Sequence, residues 1–387
     1  MGAIRKRSKI ISIINEYLYD SLLPLNINYF YAFGSIAGIC LTIQLITGIF
    51  LAMHYVPNID LAFDSVEHIM REVPYGWLIR TTHSNGAFFF FFVIYLHMAR
   101  GIYYGSYIGE RYKTWIIGVI IFLIMIITAF IGYSLVYGQM SLWGMTVITN
   151  LLTSIPFIGT DLVQYIWGGF SVGGATLNRF YSLHYLLPFV LVGLVIVHLI
   201  YLHTIGSSNP LGFSSNKAYI PFHPYYTLKD LYGFLVFFIF LFYIVFFHPY
   251  SLGHTDNFIK GNPLVTPNLI VPESYLLPFY AILRSIPNKT LGVVAMIFSI
   301  LSLLLLPILH FHTINSSLFR PLYKTLVYTM FLNFFLLAWI GQKVVESPFI
   351  FLGQIFTFFY FFSLLFLLPL ISFFEFFLSY FSFYKKY

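Results

Sequence analysis

Apolar stretches of about 20 residues, the length a helix needs to cross roughly 30 Å of hydrocarbon, recur along this chain. They run from Phe33 to Met53, Trp77 to Tyr104, Thr114 to Ser134, Phe180 to Thr204, Leu231 to Phe247, Leu291 to Leu309, Leu322 to Ile340 and Phe349 to Ser372. Eight such segments imply an all-α integral membrane protein with eight transmembrane helices. The composition agrees: 59% hydrophobic, 21% aromatic and 9% charged leaves too little polar surface to coat a water-soluble particle of 387 residues.

Charge between the spans gives their direction, because Lys and Arg stay on the side from which insertion occurs. Arg5, Lys6, Arg7, Lys9, Arg100, Arg111, Lys113, Lys217, Lys229, Arg320, Lys324, Lys385 and Lys386 then face one side, here called inner, together with both termini. Arg71, Arg80, Arg179, Lys260, Arg284, Lys289 and Lys343 fall outside, among Asp60, Asp64, Glu67, Glu72, Asp161, Asp256, Glu273 and Glu346. The formal charge of +7 follows from this topology. The basic residues form no stripe, so nucleic acid is not an expected partner. Residues Ile10 to Leu22 read as an amphipathic helix lying at the interface, with no cleavable signal core behind the basic start.

The segment Gly206 to Lys229, rich in Ser, Asn, Gly and Pro, separates the first four spans from the last four. The expected organisation is 1–205, an inner connecting loop over 206–230, and 231–387. Two outer connections are long. Leu135 to Arg179 carries short apolar runs expected to form small surface helices, and His248 to Thr290 is dense in proline, which favours stiff turns. Together they are expected to roof an outer cavity.

The chemistry is carried by histidines. His83 and His97 lie on the second span and His184 and His198 on the fourth, each pair 14 residues apart. Fourteen residues at about 100° return to within roughly 40° of one face, and the members of each pair sit about 21 Å apart along the axis. Both spans run outside to inside, so His83 faces His184 and His97 faces His198. Two facing imidazoles suit a haem iron, six-coordinate and closed, and two such levels make a transmembrane path for single electrons. Cys40 is the only cysteine, which excludes thioether attachment and a Cys-ligated cluster.

Gly34 and Gly48 on the first span and Gly118 and Gly132 on the third repeat the same interval. Gly34 and Gly118 match the depth of His97 and His198, while Gly48 and Gly132 match that of His83 and His184. A missing side chain lets a planar ring approach the backbone; helix packing is the ordinary use of such glycines. Arg80, Arg100 and Arg179 lie near these histidines and serve either haem propionates or the membrane interface. His54, His68, His223, His248, His254, His310 and His312 sit in loops or at helix ends, where solvated roles are expected.

The histidine pairs and glycine quartet, with Trp-Gly-Met-Thr-Val-Ile-Thr-Asn-Leu at Trp143, Gly-Ser-Ser-Asn-Pro-Leu-Gly at Gly206 and Gly-Asn-Pro-Leu-Val-Thr-Pro at Gly261, together resemble cytochrome b, over nearly the whole chain. The resemblance is to the unsplit mitochondrial and bacterial type, the membrane core of complex III. It implies two non-covalent b-type haems, a low-potential one on His83 and His184 and a high-potential one on His97 and His198. It implies ubiquinol oxidation at an outer pocket matching Phe130, Tyr133, Gly144, Ile148, Pro272, Glu273 and Tyr280, with Glu273 as proton acceptor. An inner quinone-reducing pocket matches His203, Ser207, Lys229 and Asp230, with His203 and Asp230 as proton donors.

The chain departs from the family in two places. The family's Pro-Glu-Trp-Tyr is Pro272-Glu273-Ser274-Tyr275 here, and Ala32 stands where the family often has a polar residue. Implied partners are a Rieske iron-sulfur protein, a subunit with cytochrome c-type haem, other complex III subunits, lipid and a second copy in a homodimer. The many Phe and Tyr residues fit an organelle-encoded protein, so the mitochondrial inner membrane, with termini in the matrix, is expected over a bacterial plasma membrane. Two other functions remain open from sequence: a histidine-based proton or metal transporter, and a dihaem anchor for another dehydrogenase.

Overall fold

In lipid a backbone has no water to bond, so each crossing segment closes its own hydrogen bonds as a helix. The computed structural model describes residues 8–213, 218–312 and 314–384, which leaves Arg5, Lys6, Arg7, Lys217, Lys385 and Lys386 outside the described residues. Eight helical segments among these are long and apolar enough to cross a membrane: Tyr29–Ala52, Gly76–Tyr103, Gly109–Ser134, Gly174–Ile205, Phe222–Phe247, Lys289–Leu309, Pro321–Gly341 and Phe349–Ser379. Each covers one of the expected stretches.

The chain opens with α1 (Lys9–Leu18) and strand β1 (Leu22–Pro24). The expected interfacial helix therefore ends four residues early. The Asn15 carbonyl accepts from the amides of Tyr19 and Asp20, closing the helix. Leu22 to Pro24 then pair antiparallel with β2 (Tyr219–Pro221), which satisfies their backbone groups another way.

The first span is α2 (Phe33–Ala52) and the second α4 (Gly76–Tyr103); between them lies α3 (Ala62–Arg71), a helix the hydropathy pattern does not announce. The third and fourth spans are α5 (Tyr112–Ser134) and α8 (Gly174–Ile205). The long connection between them forms α6 (Gln139–Asn150) and α7 (Gly159–Trp167), the small helices expected there. Within the four, α2 packs chiefly on α4, and α5 on α8.

The second half comprises α9 (Phe222–Phe247), α10 (Leu277–Ser285), α11 (Lys289–Leu301), α12 (Leu306–Leu309), α13 (Pro321–Gly341), α14 (Phe349–Phe362) and α15 (Leu368–Tyr384). A π-helical turn at Ser363–Leu367 joins the last two into one span. The proline-rich connection makes short turns and then α10, whose Ala281 and Ile282 are buried against Leu337 and Ile340 of α13. One apolar cluster spans both halves: Cys40, Leu41, Phe90, Phe91, Phe122 and Met125 pack with Phe237, Leu241 and Val245 of α9 and with Tyr275 and Phe279.

His310 is not solvated, contrary to its place at a helix end. It is fully buried between Tyr107, whose hydroxyl is 2.7 Å from Nδ1, and Arg320, 2.5 Å from Nε2. Arg320, one of the charges expected on the inner side, is paired with Glu375 of α15 at 2.8 Å. Glu375 Oε1 also accepts from the amides of Leu322 and Tyr323, so the last helix caps the start of α13. His312 is half-buried beside Phe376, whereas His54, His68 and His248 are exposed as expected.

Candidate functional site

Helix pairing decides where the histidines go. Residues His83 and His97 stand on α4, His184 and His198 on α8, and each helix leans on a neighbour that carries glycine at the matching depth. The ring centroids of His83 and His184 are 6.3 Å apart, and those of His97 and His198 are 6.4 Å apart. An imidazole nitrogen binds a metal at about 2 Å, and its ring centre lies about 1 Å further, so two rings on opposite sides of one ion have centres roughly 6 Å apart. The spacing at both levels fits one axially ligated iron.

The glycine register holds in all four places, with a refinement. A Cβ at Gly34 would sit 3.2 Å from Cε1 of His97, at Gly48 the same distance from His83, and at Gly118 the same from His198. At Gly132 it would overlap the His184 ring outright. The bare backbone therefore admits the imidazole itself: each histidine stands on the glycine of the helix beside its own.

Hydrogen bonds orient three of the rings. Thr128 offers its carbonyl to His184 Nδ1 at 2.9 Å, and a carbonyl only accepts, so Nδ1 carries the proton. The Thr47 hydroxyl lies 2.8 Å from His83 Nδ1 and gives its own proton to the Ile43 carbonyl, so His83 Nδ1 also donates. Both outer rings thus keep Nε2 unprotonated, the form a metal requires. At the inner level Arg100 Nη2 is 3.1 Å from His97 Nδ1, a contact that leaves the ring proton on Nε2 and that must give way for this nitrogen to take a metal. Pro188, one turn beyond His184, cannot bond back to that histidine's carbonyl and loosens α8 just there.

A cavity of about 730 Å³ opens around the outer pair, walled by His83, His184, Gly48, Gly132, Arg80, Glu273 and Tyr275. Its roof differs from the expected one. The proline-rich connection supplies Pro249, Tyr250, Leu252 and Asn257, but α3 supplies Phe63, Val66 and Met70, while the connection after α5 adds only Leu135 and Val136. Arg80 faces the cavity with one bond, to Ser84 at 3.1 Å. Arg100 Nε is buried without a partner while its guanidinium covers the Tyr31 ring at 4.6 Å, a cation placed to receive an anionic group such as a haem carboxylate. Arg179 is taken up by the carbonyls of Tyr165 and Ile166 and is not part of the cavity wall.

Of the outer-pocket candidates, Tyr133 and Glu273 meet on this wall, the phenol beside the carboxylate. Burial pushes the Glu273 carboxyl up to about 7, against the Tyr133 hydrogen bond and the Arg80 charge, which both pull it down. Phe130, Gly144, Ile148, Pro272 and Tyr280 are not among the walls. Phe130 packs edge-on to Phe180 at 6.0 Å, and the Tyr280 hydroxyl donates to the Ile270 carbonyl at 3.1 Å. A Cβ on Gly144 would meet open space. Tyr275 stacks on Phe91 at 4.1 Å and its carbonyl accepts from Tyr95 at 2.5 Å, which anchors the segment although Ser274 replaces the family's Trp.

The inner candidates are held less tightly together. His203 lies edge-on to Tyr17 at 4.6 Å, Lys229 donates to the Ile27 carbonyl at 2.5 Å, and Ser35, near Asp230, donates to the Ala32 carbonyl at 2.9 Å. Ser207 adjoins Ser208, whose hydroxyl is 2.8 Å from Ser106 and 3.3 Å from Tyr31. Among the described residues no hydrogen bond or ring contact joins His203 to Asp230. Ala32 is buried against Gly233. Tyr17, Tyr31 and Ser35, like Thr47 and Thr128 at the outer level, carry no spacing signal and are visible only once the helices are packed.

Imidazoles facing in pairs at two depths across a bundle of membrane spans are the arrangement of a membrane cytochrome. The comparisons make this specific. The family described as Cytochrome b/b6/petB matches residues 18–206, and Cytochrome b(C-terminal)/b6/petD matches 260–361. The cytochrome b of Mycosarcoma maydis is 58% identical over 92% of this chain and 90% of its own length; that of Yarrowia lipolytica is 57% identical over 92% and 93%. A chain of a hyperthermophilic respiratory complex III superposes with a TM-score of 0.90 at 36% identity, covering 96% of this chain and 98% of that one. The chain belongs to the cytochrome b family, and its function is that of a respiratory cytochrome b.

Proposed function

We propose that the chain is the catalytic membrane subunit of a ubiquinol:cytochrome c oxidoreductase, complex III. It oxidises ubiquinol near its outer face, carries electrons across the membrane on two b-type haems and reduces quinone near its inner face, coupled to proton translocation. The observation that carries this reading is the pair of facing imidazoles at two depths, each ring set against glycine. His83 and His184 hold the low-potential haem and His97 and His198 the high-potential one. Haem supplies reversible one-electron chemistry there.

The chain's own residues do the rest. Quinol releases two protons on oxidation, and a carboxyl held near 7 accepts one readily at neutral pH. Glu273 is therefore the outer proton acceptor, with Tyr133 and Arg80 beside it on the cavity wall. Phe130, Gly144, Ile148, Pro272 and Tyr280 complete the outer quinone surface, with Tyr280 fixing the adjacent loop through Ile270. At the inner end His203 and Asp230 deliver protons to the reduced ring, and Ser207 and Lys229 bind it. Arg80 and Arg100 pair with haem carboxylates.

The division into a dihaem bundle over 1–205, a connecting loop over 206–230 and a quinol-site half over 231–387 follows these roles. A Rieske protein takes the other electron of quinol and passes it to a cytochrome c-type subunit, since Cys40 is the sole thiol. The neighbour from a respiratory complex III supports a multi-subunit assembly; within it this chain works as a homodimer with further subunits. Eukaryotic relatives support a mitochondrial inner membrane location, and the charge distribution between the spans puts the termini on the matrix side.

A reduced-minus-oxidised spectrum of the purified complex tests the reading. Two separable low-spin b-type components are expected, and His97→Leu or His198→Leu is expected to remove only one of them. A single component in the unaltered protein defeats the two-haem assignment.

A further inference from the structure

Gln44 lies one turn before Gly48 on α2, about 6 Å deeper in the membrane than the outer histidine level and about 15 Å from the level of Gly34. It lines the outer cavity, and its Nε2 is buried with no hydrogen-bond partner. The residue opposite is Gly86, three positions after His83 on α4, where any Cβ would overlap that nitrogen. An amide in a membrane span is thus accommodated by removing a side chain from the neighbouring helix.

The surroundings are apolar: Leu41, Leu45, Phe90 and Phe91 line the same cavity. The corresponding polar residue on α5 is Thr128, four before Gly132, but its hydroxyl already donates to the Ile124 carbonyl at 2.7 Å. Gln44 alone at this depth keeps its donors. Pressed on Gly86, the amide nitrogen has nothing to bond. A half-turn about the last side-chain torsion exchanges oxygen and nitrogen and aims the NH2 into the cavity, where a bound group can take its hydrogen bond.

We propose that the Gln44 amide, seated in the notch left by Gly86, donates a hydrogen bond into the outer cavity and raises the reduction potential of the outer haem relative to the inner one. Reduction adds negative charge, and a fixed N–H dipole in a low-dielectric site stabilises the reduced form. Gln44 acts here as a positioning and tuning residue. The inference rests on the two-haem reading.

The test is a potentiometric titration of the intact complex, following each b-type component by its absorbance, in Gln44→Met and Gly86→Ala. Both variants should lower the midpoint of the outer component and leave the inner one in place, with two components still present. Should Gln44→Met fail to assemble, Gly86→Ala displaces the amide and carries the same test. An unmoved outer midpoint, or equal movement of both, overturns the proposal. Absence of two components in the unaltered complex defeats the earlier reading instead.

Discussion

At the outer end Glu273 and Arg80 share an open cavity with two imidazoles, and the carboxyl is left near 7, poised between forms. At the inner end Glu375 and Arg320 are 2.8 Å apart, 8% and 2% exposed, and each makes further hydrogen bonds. Arg320 donates to His310, so His310 Nδ1 donates to Tyr107, and the Tyr323 hydroxyl donates to the Ile102 carbonyl at 2.7 Å. Burial and the Arg320 charge hold His310 well below the usual imidazole range, so it stays neutral. A carboxylate left partly satisfied exchanges protons; one paired and used as a helix cap holds segments together.

The largest effect that follows is at the closed end. Replacing Glu375 by Gln strands the buried Arg320 charge and weakens the cap on α13, and losing one partner of a buried pair costs about 3–5 kcal/mol. A large drop in thermal stability of the purified complex is expected, with the absorbance of both haems unshifted in what remains folded. An unaltered melting temperature would mean the pair is not a clasp.

The next effect separates the two histidine levels. Gly132→Ala drives a methyl into the His184 ring, whereas Gly118→Ala leaves 3.2 Å to His198. Overpacking of the first kind costs about 1–3 kcal/mol. Loss or broadening of the outer spectral component is expected for Gly132→Ala, and a near-normal spectrum for Gly118→Ala. Equal damage at both positions would show that ring clearance is not what distinguishes them.

Thr47→Val sharpens the same contrast from another side. It deletes the acceptor that keeps His83 Nδ1 protonated and Nε2 free. Partners of this kind typically change metal-site affinity 10–100-fold. Faster loss of the outer haem than of the inner one on mild detergent challenge is expected.

What the sequence discloses follows from period and length. Eight lipid-spanning stretches, two equal histidine intervals and four glycines in register are one-dimensional patterns, and each maps directly onto helix geometry. Other features need three dimensions. Helix α3 has mixed polar composition, so the hydropathy that finds spans passes over it. Glu375 and Arg320 are 55 residues apart and read as ordinary flanking charges until α15 folds back on the start of α13. His310 looks like a loop histidine for the same reason. Glu273 was legible as a motif residue, but its turn toward Tyr133 and Arg80, away from Tyr280, depends on how the proline-rich segment packs on Phe91.

The smallest effect concerns that carboxyl. Only the ionised form of Glu273 accepts a proton from quinol, and a group titrating near 7 passes from about one-tenth to about nine-tenths ionised between pH 6 and pH 8. Quinol oxidation should therefore rise several-fold across that interval. Glu273→Gln should be slower throughout and lose this rise, since the amide has no proton to exchange. Arg80 pulls the carboxyl down, so a conservative Arg80→Lys should leave the rise in place, while Arg80→Gln should move its midpoint to higher pH. A profile with the same midpoint in Arg80→Gln would place the titrating group elsewhere and remove the contrast between the poised outer carboxyl and the clamped inner one.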